Sequence, residues 1–380
     1  MKNLAGLRLI PWVLVLLWIP LWAQNSQPTD QPKRILSEHR GIITSLAFSP
    51  DNETLVSVSQ DGEMVLWNPT TGEIKLKLES KPEVFRSVAF SPDGQLIASG
   101  SGNRETGEQV GRFGLMTIWD ANTGKVRHRM KIGATLSTFE SQPGWVFSVA
   151  FSPDGKMVAG GLATGEIRLM DSQTGKDIRS LRQHSNRVNS LAFSADGRTL
   201  ASGGDDEFLI LWDVATWKVK QKIKMKDMKV RSVCFAPDGK SLISASTLFV
   251  KKASPTIIFG PVTTEGGDSN FGVTGSRFYR AESLLKLWDV ETGKLKLDLA
   301  TSRETVFAVA FSPDGQRIAN AVADQTIRLV TVNTGDVQTF TGHTGSVITI
   351  TFSPDGKLLA SAGTDKIIRL CGISPQSASR

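Results

Sequence analysis

One short unit recurs seven times in this chain and constrains its fold more than any other feature: an apolar strand ending in Phe that runs into Ser-Pro-Asp-Gly. Its clearest copy is Val149–Gly155, and near-copies begin at Leu46, Val88, Leu191, Val233, Val309 and Ile350. Proline at the second turn position presets φ, serine or aspartate bonds the local backbone, and glycine closes the turn. Each copy therefore reads as strand, tight turn, strand. The phenylalanines stand at 48, 90, 151, 193, 235, 311 and 352, at spacings of 42, 61, 42, 42, 76 and 41 residues.

Four of those six intervals equal 41 or 42, which matches the period of a four-stranded propeller blade. In the fourth unit, strands are expected at Leu191–Phe193, Leu200–Ser202, Leu209–Asp213 and Lys218–Ile223, the last alternating and charged. A second turn, usually Thr-Gly, joins the third strand to the fourth. Gly72, Gly124, Gly175, Gly293 and Gly335 occupy it, and Trp217 stands there in the fourth unit. Trp-Asp closes the third strand at Trp119-Asp120, Trp212-Asp213 and Trp288-Asp289, with Trp67-Asn68 a near match. On these residues the chain resembles WD-repeat β-propellers from about residue 33 to 372. The resemblance implies an all-β, seven-bladed propeller of four-stranded antiparallel blades. It also implies that the strand missing after Leu370-Cys371-Gly372 comes from Lys33–Ser37, so that an N-terminal strand closes the ring.

His39, His184 and His343 each precede an aspartate by 22 residues (Asp61, Asp206 and Asp365), and Ser57, Ser202 and Ser361 stand four before those aspartates. Trp67 and Trp212 follow by six, with Cys371 at the third such place. The family likeness makes these a structural hydrogen-bonded network rather than a catalytic set. Units three and six lack it: Thr164 and Met170 replace Asp and Trp in one, Val330 replaces Trp in the other, and apolar packing is expected there.

Composition excludes several classes. The 380 residues are 40% apolar and 21% charged, as in a folded globular protein. Residues 1–23 carry Lys2 and Arg8 before an uncharged run, Leu9–Leu21, and then Trp22-Ala23, which reads as a secretory signal. The alternative is a membrane anchor over residues 4–23, and residues 24–32 read as a linker. Cleavage would leave a net charge of +5 from +7, without the clustered basic patch that nucleic acid requires. Cys234 and Cys371 fall in non-adjacent units, so no disulfide is expected. No zinc-type ligand spacing, phosphate loop or nucleophile elbow occurs, so no cofactor, metal or catalytic residue is assigned.

The breaks in spacing carry the functional expectation. Inserts are read at 101–113, 133–144 and 247–281, with 373–380 as a tail; up-and-down strands place all three inserts on one face of the disc. Candidate binding residues in the long insert are Lys251, Lys252, Arg277, Phe278, Tyr279 and Arg280. A second set lies four residues before each turn Phe, a position that the family likeness places at the channel mouth: Thr44, Arg86, Phe147, Asn189, Arg231, Phe307 and Ile348. The expected function is an exported, periplasmic or secreted, non-catalytic platform that binds a protein or peptide. Rival readings are a propeller enzyme using Glu265, Asp268, Tyr279 or Glu282, and a structural subunit of an envelope assembly.

Overall fold

The computed structural model describes residues 32–80, 83–103, 113–133, 144–251 and 279–373. Among these, twenty-eight strands form seven four-stranded antiparallel sheets, and no helix is long and apolar enough to cross a membrane. Blade 1 shows the plan, with Ile43–Phe48, Leu55–Ser59, Glu63–Trp67 and Ile74–Glu79 paired in that order. Its second and third strands are wholly buried, whereas the fourth, Ile-Lys-Leu-Lys-Leu-Glu, is largely at the surface. That gradient explains why apolar runs occupy the middle of each repeat and charges its end.

The expected turn chemistry is present. In Ser152-Pro153-Asp154-Gly155 the serine hydroxyl donates to Asp154 Oδ1 at 2.6 Å, and the Gly155 N–H closes the turn on the Ser152 carbonyl at 2.8 Å. Gly155 takes φ +71°, a region that Cβ-bearing residues disfavour. Five of the six turn prolines also face the closing glycine of the next blade: a Cβ on Gly197 would lie 3.8 Å from Pro153. Ala195 replaces proline in blade 4, nothing lies within 4 Å of a Cβ on Gly239, and a groove of about 570 Å³ opens beside it. Ala195→Pro is therefore expected to raise stability by about 0.5–1 kcal/mol by restricting the unfolded chain, read as a higher midpoint in denaturant unfolding.

Blades are joined at the channel by a repeated device. A serine in one first strand accepts the backbone N–H of the next: Ser45 from Val88 at 3.2 Å, Ser87 from Val149 at 3.0 Å, Ser148 from Leu191 at 3.0 Å, Ser190 from Val233 at 3.1 Å and Ser232 from Val309 at 3.2 Å. Farther out, apolar clusters lie between sheets. Trp67 of blade 1 packs with Ala360, Ile368 and Leu370 of blade 7, and Trp212 of blade 4 with Ala159, Ile167 and Leu169 of blade 3.

The ring closes as expected, with Arg34–Leu36 antiparallel to Ile368–Gly372 and Leu36 opposite Ile368. Two insert boundaries need correction. Blade 2's second strand continues to Asn103, pairing Ser101 with Leu115, so that insert begins at 104. Blade 5's ladder runs through Ser241–Lys251 and Tyr279–Asp289, pairing Lys251 with Tyr279 and Val250 with Arg280. The long insert is thus 252–278: Lys251, Tyr279 and Arg280 are strand residues, not loop residues. Backbone pairing from Thr247↔Ser283 to Lys251↔Tyr279 extends the ladder and satisfies main-chain groups that a loop would leave to water. Trp217 keeps the left-handed turn of the glycine it replaces, at φ +56°.

Candidate binding site

Every first strand carries a β-bulge, and the extra residue is the same one in each blade. Register slips between Ile43 and Ser45, Phe85 and Ser87, Val146 and Ser148, Val188 and Ser190, Val230 and Ser232, Val306 and Ala308, and Val347 and Thr349. The residues passed over are Thr44, Arg86, Phe147, Asn189, Arg231, Phe307 and Ile348, the seven positions marked four before each Phe. A bulge re-aims the side chain it carries, so these seven leave the alternation of the sheet. Two of them reach the next blade's backbone, Thr44 Oγ1 donating to the Phe85 carbonyl at 3.0 Å and Asn189 Nδ2 to the Val230 carbonyl at 2.9 Å.

Four of the seven join one continuous arc over blades 2 to 5. The Arg86 guanidinium lies 5.0 Å from the Trp145 ring and 5.4 Å from the Phe147 ring, and Arg187 covers Phe147 at 4.7 Å. Arg187 then donates to Asp205 Oδ2 at 2.7 Å. Asp205 Oδ1 receives Asn189 Nδ2 at 2.8 Å and Arg231 at 3.3 Å, with Lys229 Nζ 3.7 Å from Oδ2. The Asp205 side chain is only 4% exposed. Burial pushes its carboxyl upward, but the hydrogen bonds from Asn189 and Arg187 and the charges of Arg187 and Arg231 hold it below the ordinary aspartate value. Burial likewise lowers the Arg231 guanidinium, against the pull of Asp205. Three cations, Arg187, Lys229 and Arg231, face the Asp205 carboxylate, and Arg86 adds a fourth positive side chain at the aromatic end of the arc.

Phe307, half-buried on blade 6, stands outside this arc, and among the described residues no ring contact links it to Phe147. The pairing that matters is thus between neighbouring blades rather than across the opening. Trp145, Arg187, Asp205 and Lys229 were missed by the sequence reading. Asp205 had a visible signal, since it doubles the network aspartate in Asp205-Asp206. The roots of the two shorter inserts meet here too: a Cβ on Gly102 would run into the Trp145 ring, and one on Gly144 would lie 2.8 Å from the Gly114 nitrogen. Lys252, Arg277, Phe278, Glu265 and Asp268 lie outside the described residues.

Three side-chain networks tie a histidine to a serine and an aspartate. Trp212 Nε1–H donates to Ser202 Oγ at 2.9 Å, which lies 2.8 Å from His184 Nε2, while Nδ1 sits 2.8 Å from Asp206. Blade 1 repeats this with Trp67, Ser57, His39 and Asp61 at 2.8, 2.7 and 3.3 Å. In blade 7, where Cys371 replaces Trp, His343 still contacts Ser361 at 2.9 Å and Asp365 at 2.7 Å. We assign Nδ1–H to the aspartates, leaving Nε2 to accept from serine. Trp119 to Ser99 at 2.9 Å and Trp288 to Ser244 at 2.8 Å are shorter versions without histidine. Glu63 approaches His39 and Asp61 at metal-ligand spacing. Yet both His39 nitrogens are engaged, and Glu63 pairs with Lys77 at 3.3 Å.

These groups set the acid limit of stability. Burial lowers His343 below the ordinary histidine value, outweighing the raising effect of Asp365. The stability His343 contributes is therefore complete above its unfolded pKa of about 6.5 and is lost as pH falls below it. Asp61 and Asp206 are lowered too, burial being overcome by hydrogen bonds from their histidines and from backbone N–H groups. Their contribution persists above about pH 4 and fades below it. Acid unfolding should start with blade 7 and reach blades 1 and 4 at lower pH. Hydrogen exchange measured from pH 7 down to about pH 2 checks that order, and His343→Gln should flatten the first phase.

Five stretches, 30–68, 75–105, 175–213, 293–330 and 335–371, match the family model "WD domain, G-beta repeat", and 138–188 matches "Anaphase-promoting complex subunit 4 WD40 domain". Among curated proteins the chain is similar to Small ribosomal subunit protein RACK1y of Oryza sativa subsp. japonica, at 31% identity over 30% of this chain and 32% of the relative. Eukaryotic translation initiation factor 3 subunit I of Candida albicans is 28% identical over 39% of this chain and 41% of that protein. Apoptotic protease-activating factor 1 of Rattus norvegicus is 29% identical over 42% and 12%. The chain thus spans less than half the length of these relatives. Seven blades with bulged first strands, tryptophan–serine joints in four of them and repeat matches running from 30 to 371 show that the chain belongs to the WD-repeat β-propeller family.

Proposed function

We propose that the protein is a non-catalytic interaction platform, exported from the cytoplasm, which grips an acidic segment of a protein partner at the insert-bearing channel mouth. The observation that carries this reading is the arc from Arg86 to Lys229, in which Trp145 and Phe147 supply rigid apolar surface between cations. Aromatic and arginine side chains of this kind dominate binding energy at protein interfaces. Membership of assemblies supports it: the names of two relatives are those of a small ribosomal subunit protein and an initiation factor subunit. Export rests on Lys2, Arg8 and the uncharged run Leu9–Leu21.

Crosslinking on native membranes followed by mass spectrometry identifies the partner, and pull-down with variants then locates the contact. Arg86→Ala with Arg231→Ala should weaken recovery about tenfold or more and flatten its salt dependence; unchanged recovery would sink the mouth as the site. Asp205→Ala removes the anion that holds Arg187, Arg231 and Lys229. It should cost about 2 kcal/mol of stability, below the full cost for a buried pair because the cations are partly exposed, and thermal unfolding reads the loss.

A further inference from the structure

The two blades without the full network have dealt with its loss differently. In blade 3, Gly160 takes the serine place and Met170 the tryptophan place. The Met116 sulfur of blade 2 fills the gap, lying 2.4 Å from where a Cβ on Gly160 would stand, and both methionines are buried. In blade 6 no such filling occurs. Asn320 pairs with Val309 and Arg328 as Ser57 pairs with Leu46 and Val65, and Val330 stands opposite Ile318 as Trp67 stands opposite Leu55. Ser302, 22 residues before Asp324, holds the histidine place. Small residues at both large-residue positions leave a cavity of about 380 Å³ between blades 5 and 6.

That volume falls in the range of small-ligand pockets. Leu285, Val306 and Val330 form its apolar walls and are at most 2% exposed, while Val337, 52% exposed, marks the opening toward the rim. Asn320 lines the same cavity and is 2% exposed. A ligand N–H that meets the Asn320 carbonyl there adds a hydrogen bond within largely apolar walls. At the opening, Arg328 is held by Asp324 at 2.6 Å, so charge there is neutralised.

We propose that this cavity binds a planar aromatic group of indole size carrying an N–H donor, with the Asn320 carbonyl accepting that N–H as Ser57 and Ser202 accept the indoles of Trp67 and Trp212. The source is either a free small molecule or the tryptophan side chain of a partner. It would be a second site, independent of the channel mouth.

Calorimetric titration of the whole chain tests it, with indole, 1-methylindole and N-acetyltryptophanamide as probes. Indole should bind saturably at one site, and 1-methylindole about tenfold more weakly because it has no N–H to give Asn320. Asn320→Leu should remove that difference. Val330→Trp should fill the cavity and weaken indole at least tenfold; should that variant unfold early, Asn320→Leu alone decides. N-acetyltryptophanamide binding at the same site points to a partner's side chain, and its exclusion while indole binds points to a free small molecule. No saturable indole binding, or binding unchanged by both substitutions, overturns the proposal.

Discussion

Trp212→Ala is expected to cost about 3–5 kcal/mol of stability, among the largest losses from any single side chain in the ring. The indole is 2% exposed and lies in a cluster drawn from two blades, with Ala159, Ile167 and Leu169 on one side and Leu191, Leu200 and Ile210 on the other. Truncation therefore opens a cavity at a joint rather than inside one sheet, where rigid strands on both sides limit collapse. The lost hydrogen bond to Ser202 is the smaller part. Trp212→Phe keeps most of the apolar contact and drops only the N–H, and should cost about 1 kcal/mol beyond any packing change. Blade 7 shows why the polar share is small: Cys371 stands at the tryptophan position, yet His343 and Ser361 remain 2.9 Å apart. Denaturant unfolding of both variants separates the terms, and equal losses would assign the joint's stability to the hydrogen bond instead.

What could be read from the residues follows from how local each cause is. Ser-Pro-Asp-Gly and the Phe before it act over seven residues, so the blade count and the turns were visible along the chain, whereas the bulges at the seven marked positions were not. The strand closing the ring was visible because a unit ending at Gly372 lacked its fourth strand. Contacts across joints were not visible in the same way. Arg86 meets Trp145, and Arg187 covers Phe147, through the angle between neighbouring sheets; no spacing in the chain encodes that angle. The ends of the inserts were misplaced for a related reason. Ser101-Gly102-Asn103 has low strand propensity, and its pairing with Gly114 and Leu115 is fixed by the partner strand. The open cavity of blade 6 was foreshadowed by Val330, but Met170 is an equally plain departure, and only the side chain of Met116 distinguishes a filled site from an empty one.

Sealing or cutting the ring at its closure should have opposite and large effects. Arg34–Leu36 supplies the fourth strand of blade 7, and Leu36, 5% exposed, packs with Ile43, Phe48 and Trp67 of blade 1 as well as Ile368 and Leu370 of blade 7. Deleting residues 33–37 removes this shared residue and three ladder pairs, leaving Ile368–Gly372 as an unprotected edge. Burying one leucine is worth about 1.5–3 kcal/mol, and ladder and joint contacts add to it, so a loss of about 3 kcal/mol or more is expected. A bare edge also templates pairing with another chain, so the deletion should produce concentration-dependent dimers in analytical ultracentrifugation. Ile35 lies directly opposite Arg369, and Ile35→Cys with Arg369→Cys, in a background where Cys234 and Cys371 are alanine, lets a disulfide lock the same joint. Oxidation should raise the melting temperature and slow unfolding, because the ring then cannot part where its two chain ends meet. If the oxidised and reduced forms unfold at the same rate, opening begins at another joint, and blade 6, with its unfilled cavity, is the first place to look.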